Sequence, residues 1–161
     1  MKKIVNFTDG ANIFVVLGQV GSGKTHLTLG HQGKKLVISF DGSYSTLEGH
    51  EDEMTVVEPE ISDYSNPDKL VSEIDSLASD CDLVVFDNIS AVETSLVDAI
   101  TDGKLGNNTD GRAAYGVVKK LMAKFARWAI HFDGDVLFTL WSEVTDDGKE
   151  KPAMNAKAFN S

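Results

Sequence analysis

Cysteine is nearly missing from this 161-residue chain: Cys81 stands alone, so no internal disulfide can form. A lone thiol fits a reducing, cytoplasmic setting. Its place just ahead of an apolar run makes it a small buried side chain rather than a reactive one. Long apolar runs are missing too. The longest, residues 13–17, is far shorter than the roughly 18–20 residues of a membrane span, and no membrane role is expected. The opening Met1-Lys2-Lys3 has the charge of a secretory leader, but Asp9, Gly10 and Asn12 interrupt the apolar stretch a leader requires. Positive charge is scarce: the arginines are Arg112 and Arg127, and the net charge is −10 at pH 7. That balance argues against a large nucleic-acid footprint on a monomer. The one cationic concentration is Lys119, Lys120, Lys124 and Arg127 on a predicted helix. Lys120, Lys124 and Arg127 share a face there, either solvated or a contact surface.

With 42% hydrophobic and 25% charged residues, the chain reads as one globular domain over residues 1–161. Residues 13–17, 36–40 and 83–86 are continuously apolar, as buried parallel strands are. Residues 136–140 are similar but carry Thr139, and residues 54–57, ending at Pro59, make the outermost strand. Helical patterns fall between. One starts in the loop after residue 17 and ends at Gly30 or Gly33. A second takes Asn66 as N-cap and Pro67 as its first residue, with Leu70, Val71, Ile74, Leu77 and Ala78 as the apolar stripe. A third opens on the capping box Ser90-x-x-Glu93 and buries Leu96, Val97 and Ile100. The longest runs from about Arg112 to His131, with Val117, Val118, Leu121, Met122, Phe125 and Trp128 inward. Residues 102–112 read as a mobile Gly/Asn/Asp loop, and residues 145–161 as a polar tail with a turn at Asp147-Gly148. Strand–helix alternation predicts an α/β three-layer sandwich around a mostly parallel sheet, with ligands at the carboxyl ends of the strands.

Gly18-Gln19-Val20-Gly21-Ser22-Gly23-Lys24-Thr25 satisfies G-x-x-x-x-G-K-[ST], between a strand and a helix. The glycines let successive amides curl inward around a phosphate, and the helix N-terminus adds its dipole. Lys24 is placed to reach the outer phosphates of ATP, and the Thr25 hydroxyl to coordinate Mg²⁺. His26 directly follows, either beside the nucleotide or as a structural or surface side chain. Asp82-Leu83-Val84-Val85-Phe86-Asp87 is an apolar strand ending in an acid, which assigns Asp87 to the metal and its water. The alternative is a plain helix-capping aspartate.

Other residues sort the P-loop classes. No Asn-Lys-x-Asp segment is present, which disfavours a guanine-specific GTPase. Two arginines are few for a small-molecule or nucleotide kinase, which clamps two sets of phosphates. Asn88 stands after Asp87, where many ATPases place a catalytic glutamate. Asp41 ends a strand on the phosphate edge, as a water-orienting base or as a turn residue before Gly42. Glu143, past the last strand, competes for the base role. Thr139 is either a γ-phosphate sensor or a strand-favouring threonine. Trp141 and Tyr44 either pack on adenine or pack within the fold.

The runs Leu36-Val37-Ile38-Ser39-Phe40-Asp41-Gly42, Met54-Thr55-Val56-Val57-Glu58-Pro59 and Leu83-Val84-Val85-Phe86-Asp87-Asn88-Ile89-Ser90 resemble the RecA-type ATPase core. With Tyr115-Gly116, Phe138-Thr139-Leu140-Trp141-Ser142-Glu143 and Gly148-Lys149-Glu150-Lys151-Pro152, the chain is similar to compact phage-encoded RecA-like ATPases of single-strand annealing or recombination. In that family a glutamate commonly follows the second strand, where this chain has Asp41. The chain is then either a minimal member or one lacking parts that complete subunit contacts. The resemblance implies an ATPase with ATP and Mg²⁺, acting as a homo-oligomer on single-stranded DNA; the absence of a glutamate after Asp87 and the few cations predict slow hydrolysis by a monomer. It also implies a cation supplied across the subunit interface, from Lys149, Lys151, Lys157 or Arg112. DNA contacts would lie in residues 102–112 and 146–161. A nucleotide-gated assembly module with little hydrolysis is the non-catalytic alternative.

Overall fold

A computed structural model describes residues 12–105 and 111–154. Among these residues six strands form one sheet: β1 (Ile13–Gly18), β2 (Lys35–Ser39), β3 (Met54–Val57), β4 (Leu83–Asp87), β5 (Asp135–Val144) and β6 (Glu150–Pro152). The order is β1-β5-β4-β2-β3, every neighbour on that path parallel, with β6 antiparallel against β5. The mostly parallel α/β sheet expected from the apolar runs is therefore present, with β3 at one edge as read from Pro59.

Three helices, α1 (Pro67–Leu77), α2 (Ile89–Thr101) and α3 (Gly111–His131), pack on one face. Leu36, Ile38, Val84, Phe86, Val136, Phe138 and Leu140 supply the sheet side of that core. At its centre Phe86 lies 4.8 Å from Phe138 and 4.9 Å from Phe125, ring centroid to centroid. The opposite face holds a smaller cluster of Val37, Leu83, Val85 and Leu137. It is covered by short 3₁₀ turns that contribute Leu29 and Leu47. The second outer layer is thus built from turns where the first is built from long helices.

Several local expectations change. Residues 13–17 do form a strand, but not a buried one: β1 is the edge strand opposite β3 among the described residues. Ile13, Val15 and Leu17 remain 42%, 51% and 39% exposed. They share a face with Val136, Phe138 and Leu140 in register, yet lie outside the helix-covered cluster. The helix after the loop is a six-residue 3₁₀ segment, Thr25–Gly30; Gly30 ends it as expected, and two threonines disfavour a longer α-helix.

Asn66 caps α1 by accepting from the Lys69 amide at 3.1 Å, with Pro67 at the first position, but Leu77 of the stripe is 46% exposed. The cap of α2 is Asn88, not Ser90: Asn88 Oδ1 accepts from the Ser90 amide at 3.0 Å. The Ser90 hydroxyl instead accepts from the Trp141 amide at 3.0 Å, tying α2 to β5. In α2, Leu96 and Ile100 are buried and Val97 half-buried. Helix α3 buries Val118, Leu121, Met122, Phe125 and Trp128, with Val117 half-buried.

Part of the tail is ordered as well. Thr145 donates to and accepts from Lys149, Gly148 takes φ 78°, and β6 pairs back onto Ser142–Val144. The turn at Asp147-Gly148 is therefore there, and a strand follows it. Residues 106–110, the middle of the loop expected at 102–112, and residues 155–161 of the tail lie outside the described residues.

Candidate functional site

The carboxyl ends of β1, β2, β4 and β5 converge on the loop 18–25, and the residue types there follow from backbone demands. Gly21 and Gly23 take φ of 76° and 83°, which side chains resist. A Cβ on Gly18 would meet the Ser22 hydroxyl at 2.6 Å. Lys24, 8% exposed, folds back so that its ammonium donates to the Gly18 and Gln19 carbonyls, both at 2.8 Å. The loop's own carbonyls therefore hold the lysine until an anion competes for it.

Beside it a cavity of about 590 Å³ is lined by Val20, Gly21, Gly23, Lys24, Thr25 and His26 from the loop. From the sheet side come Asp41, Asp87, Asn88 and Trp141. Hollows of comparable size at the other ends of the strands, around His31 and Asp82, contain neither the loop nor Asp87. Chemistry and strand polarity both select the carboxyl-end cavity.

Asp87 is 2% exposed. The Thr25 hydroxyl donates to its Oδ2 at 2.5 Å, and the Thr139 hydroxyl donates to its Oδ1. The structure thus brings together three residues far apart in sequence, two of them singled out as metal-site candidates and the third as a sensor. Burial pushes the Asp87 carboxyl above the ordinary carboxylate range and Asp41 adds to the rise, while the two hydroxyls and Lys24 oppose it. A hydroxyl and a carboxylate in contact form the oxygen-only donor set that a hard cation such as Mg²⁺ takes.

The raised value fixes the sign of a stability effect. Asp87 favours the fold below the ordinary carboxylate range and turns against it as pH rises through the raised value, because the folded state then carries a poorly solvated charge. Asp87→Asn is accordingly expected to raise the thermal midpoint of the nucleotide-free protein at pH 7. The gain should shrink toward about pH 4, where aspartate itself is protonated. Thermal scans across pH check this.

Other expected residues are dispersed. Asp41 lines the cavity and accepts from the Ser43 amide at 2.9 Å, so the turn role and a place at the site coexist. Glu143 is not among the residues lining the cavity. It pairs with Lys151 at 2.9 Å on the β5–β6 hairpin, with both side chains about half exposed. Lys149 pairs with Asp147 at 2.7 Å. Lys124 pairs with Asp68, which leaves the cationic face of α3 partly neutralised. Tyr44 is 45% exposed, away from the cavity lining, whereas Trp141 is part of it. The side chains of Arg112 and Lys157 lie outside the described residues. Sequence reasoning left Asn88, Ser43, Ser45 and Thr46 out of the site; the signal for Asn88 was its adjacency to Asp87.

A parallel sheet with flanking helices, carrying a glycine-rich loop and a strand-end carboxylate at one cavity, defines a P-loop nucleoside-triphosphate-binding core. Residues 11–161 match the model of the AAA domain family, and the chain belongs to that family. Its class is therefore that of nucleotide-binding, ATPase-like P-loop proteins. A search of curated proteins finds no match to the chain. No described helix is long and apolar enough to cross a membrane.

Proposed function

We propose that the protein binds ATP with Mg²⁺ in the 18–25 loop and hydrolyses it, acting as a homo-oligomer on single-stranded DNA in phage-type recombination or replication. The observation that carries the nucleotide half is the contact of Thr25 with Asp87 beside a loop whose lysine rests on its own carbonyls. In this reading Lys24 leaves Gly18 and Gln19 for the outer phosphates, and the loop amides hold the inner ones. Thr25 and Asp87 hold Mg²⁺, which neutralises charge on the terminal phosphates. Asp41, on the same cavity wall, accepts the proton of the attacking water, and Thr139 keeps Asp87 oriented. Glu143 is left to the hairpin ion pair.

The DNA half rests on the resemblance of the motif-bearing runs to RecA-like proteins. The scarcity of cations bears on rate: the described lining of the cavity supplies Lys24 as its one lysine or arginine, so turnover by monomers is slow. The test is phosphate release by wild type with and without single-stranded DNA. Stimulation of about tenfold or more is expected, a size typical of added charge stabilisation. Tight ATP binding with negligible release even on DNA would replace this reading with a nucleotide-gated assembly module, an alternative kept by the charge of −10, which counts against direct DNA binding. Transfer of phosphate to a small acceptor would replace it with a kinase.

A further inference from the structure

Asn88 is 1% exposed, and its two amide atoms are treated differently by the fold. Oδ1 accepts from the Ser90 amide at 3.0 Å, capping α2. That contact fixes which end of the amide is oxygen and which is nitrogen. Nδ2 has no hydrogen-bond partner among the described residues. Buried amide nitrogens are normally paired, since an unmade bond forfeits the full desolvation of the group. Asn88 is also part of the wall of the cavity that holds Lys24, Thr25, Asp41 and Asp87. A buried orphaned donor on a residue of that wall is the kind of group that an oxygen brought by a ligand would satisfy.

We infer that Asn88 Nδ2 donates to an oxygen of the terminal phosphate, making Asn88 the residue that distinguishes a nucleoside triphosphate from a diphosphate. The inference rests on the ATP reading above and deepens it. The loop amides from Gly21 to Thr25 belong to the inner phosphates, so the part of the cavity between Lys24 and the sheet, walled by Asp41, Asp87 and Asn88, is left for the outermost one. Two of those three walls are acidic. A third acid directly after Asp87 would add to the repulsion of a phosphate, whereas an amide whose oxygen is already spent presents only N–H. The cap is therefore part of the recognition: Ser90 consumes the acceptor end and leaves the donor end for the ligand.

The test measures affinity rather than turnover. Wild type, Asn88→Ser and Asn88→Asp are titrated calorimetrically, in Mg²⁺, with ADP and with a triphosphate whose β–γ bridge is non-hydrolysable. Asn88→Ser keeps an oxygen able to cap α2 but removes the amide. Its triphosphate affinity is expected to fall about tenfold, the size of one hydrogen bond to a charged group, with ADP affinity within about twofold. Asn88→Asp keeps the shape and the acceptor for the Ser90 amide while turning the donor into a charge. It is expected to lose about a hundredfold for the triphosphate, again with a much smaller change for ADP. ADP binding doubles as the check that each variant is folded, and Asn88→Asp carries the comparison alone if the serine variant is not. Equal losses for both nucleotides, or no loss for either, overturn the inference while leaving the ATP reading intact. A wild type that binds neither nucleotide overturns both.

Discussion

Lys24→Ala is expected to lower ATP turnover by about a hundredfold to a thousandfold, the loss seen when one preorganised donor to a developing charge is removed. Lys24 is the one lysine or arginine among the residues described as lining the cavity, so no neighbour there substitutes for it. The fold should barely notice. In the nucleotide-free protein the ammonium bonds two loop carbonyls at 2.8 Å. Both belong to a rim where water replaces the lost donor, since Gln19 is exposed and Gly18 half-buried. A stability loss of no more than about 1 kcal/mol follows. The measurement is steady-state phosphate release at saturating ATP and Mg²⁺, alongside denaturation by urea. A variant that retains turnover within about threefold of wild type would show that the loop is not where the phosphates go.

Phe86→Ala has the opposite profile. Phe86 is fully buried on β4, one residue before Asp87, and its ring meets Phe138, Phe125, Trp128 and Phe40 at 4.8, 4.9, 5.7 and 6.3 Å between centroids. These neighbours come from β5, α3 and the end of β2, so they cannot close together over the missing ring without moving whole elements. A cost of about 3–5 kcal/mol is expected, a large share of the roughly 5–15 kcal/mol that holds a domain of this size. Urea unfolding should show the midpoint falling with an unchanged slope. If the loss stays below about 1 kcal/mol, the aromatic centre is not what couples the helices to the sheet.

How far the sequence could be read depended on whether a feature was local. The phosphate loop was legible because its glycines answer a backbone demand confined to eight residues, and Gly21 and Gly23 meet it with positive φ. Asn66-Pro67 was legible for the same reason. Continuous apolar runs located β1, β2, β4 and half of β5, but the apolar run of β1 could not reveal its position in the sheet. Being central or marginal depends on which strand arrives from residues 135–144, more than a hundred positions away. The cap of α2 was misjudged between two good capping residues two positions apart. Asn88 took the role because the Ser90 hydroxyl is claimed by the Trp141 amide, a partner 51 residues distant. Glu-Lys-Pro at 150–152 has no strand pattern. It pairs because the turn at Gly148 folds it onto β5, whose length beyond residue 140 was itself not foreseen. In the site, Thr25 and Asp87 were assigned separately and found touching across 62 positions. Glu143 was drawn in as a residue just past the last strand, but β5 runs on through it to Val144 and the hairpin pairs it with Lys151.

The strand that leads into the phosphate loop is bonded along one side only among the described residues, to β5. Among the described residues no strand pairs with its far flank, and its side chains offer oil. A loop hung from such a margin has a hinge rather than a wall behind it. Grip on a polyphosphate would stiffen that hinge, and anything that zipped onto the bare flank would tighten the grip in return, since each event restricts the same six residues.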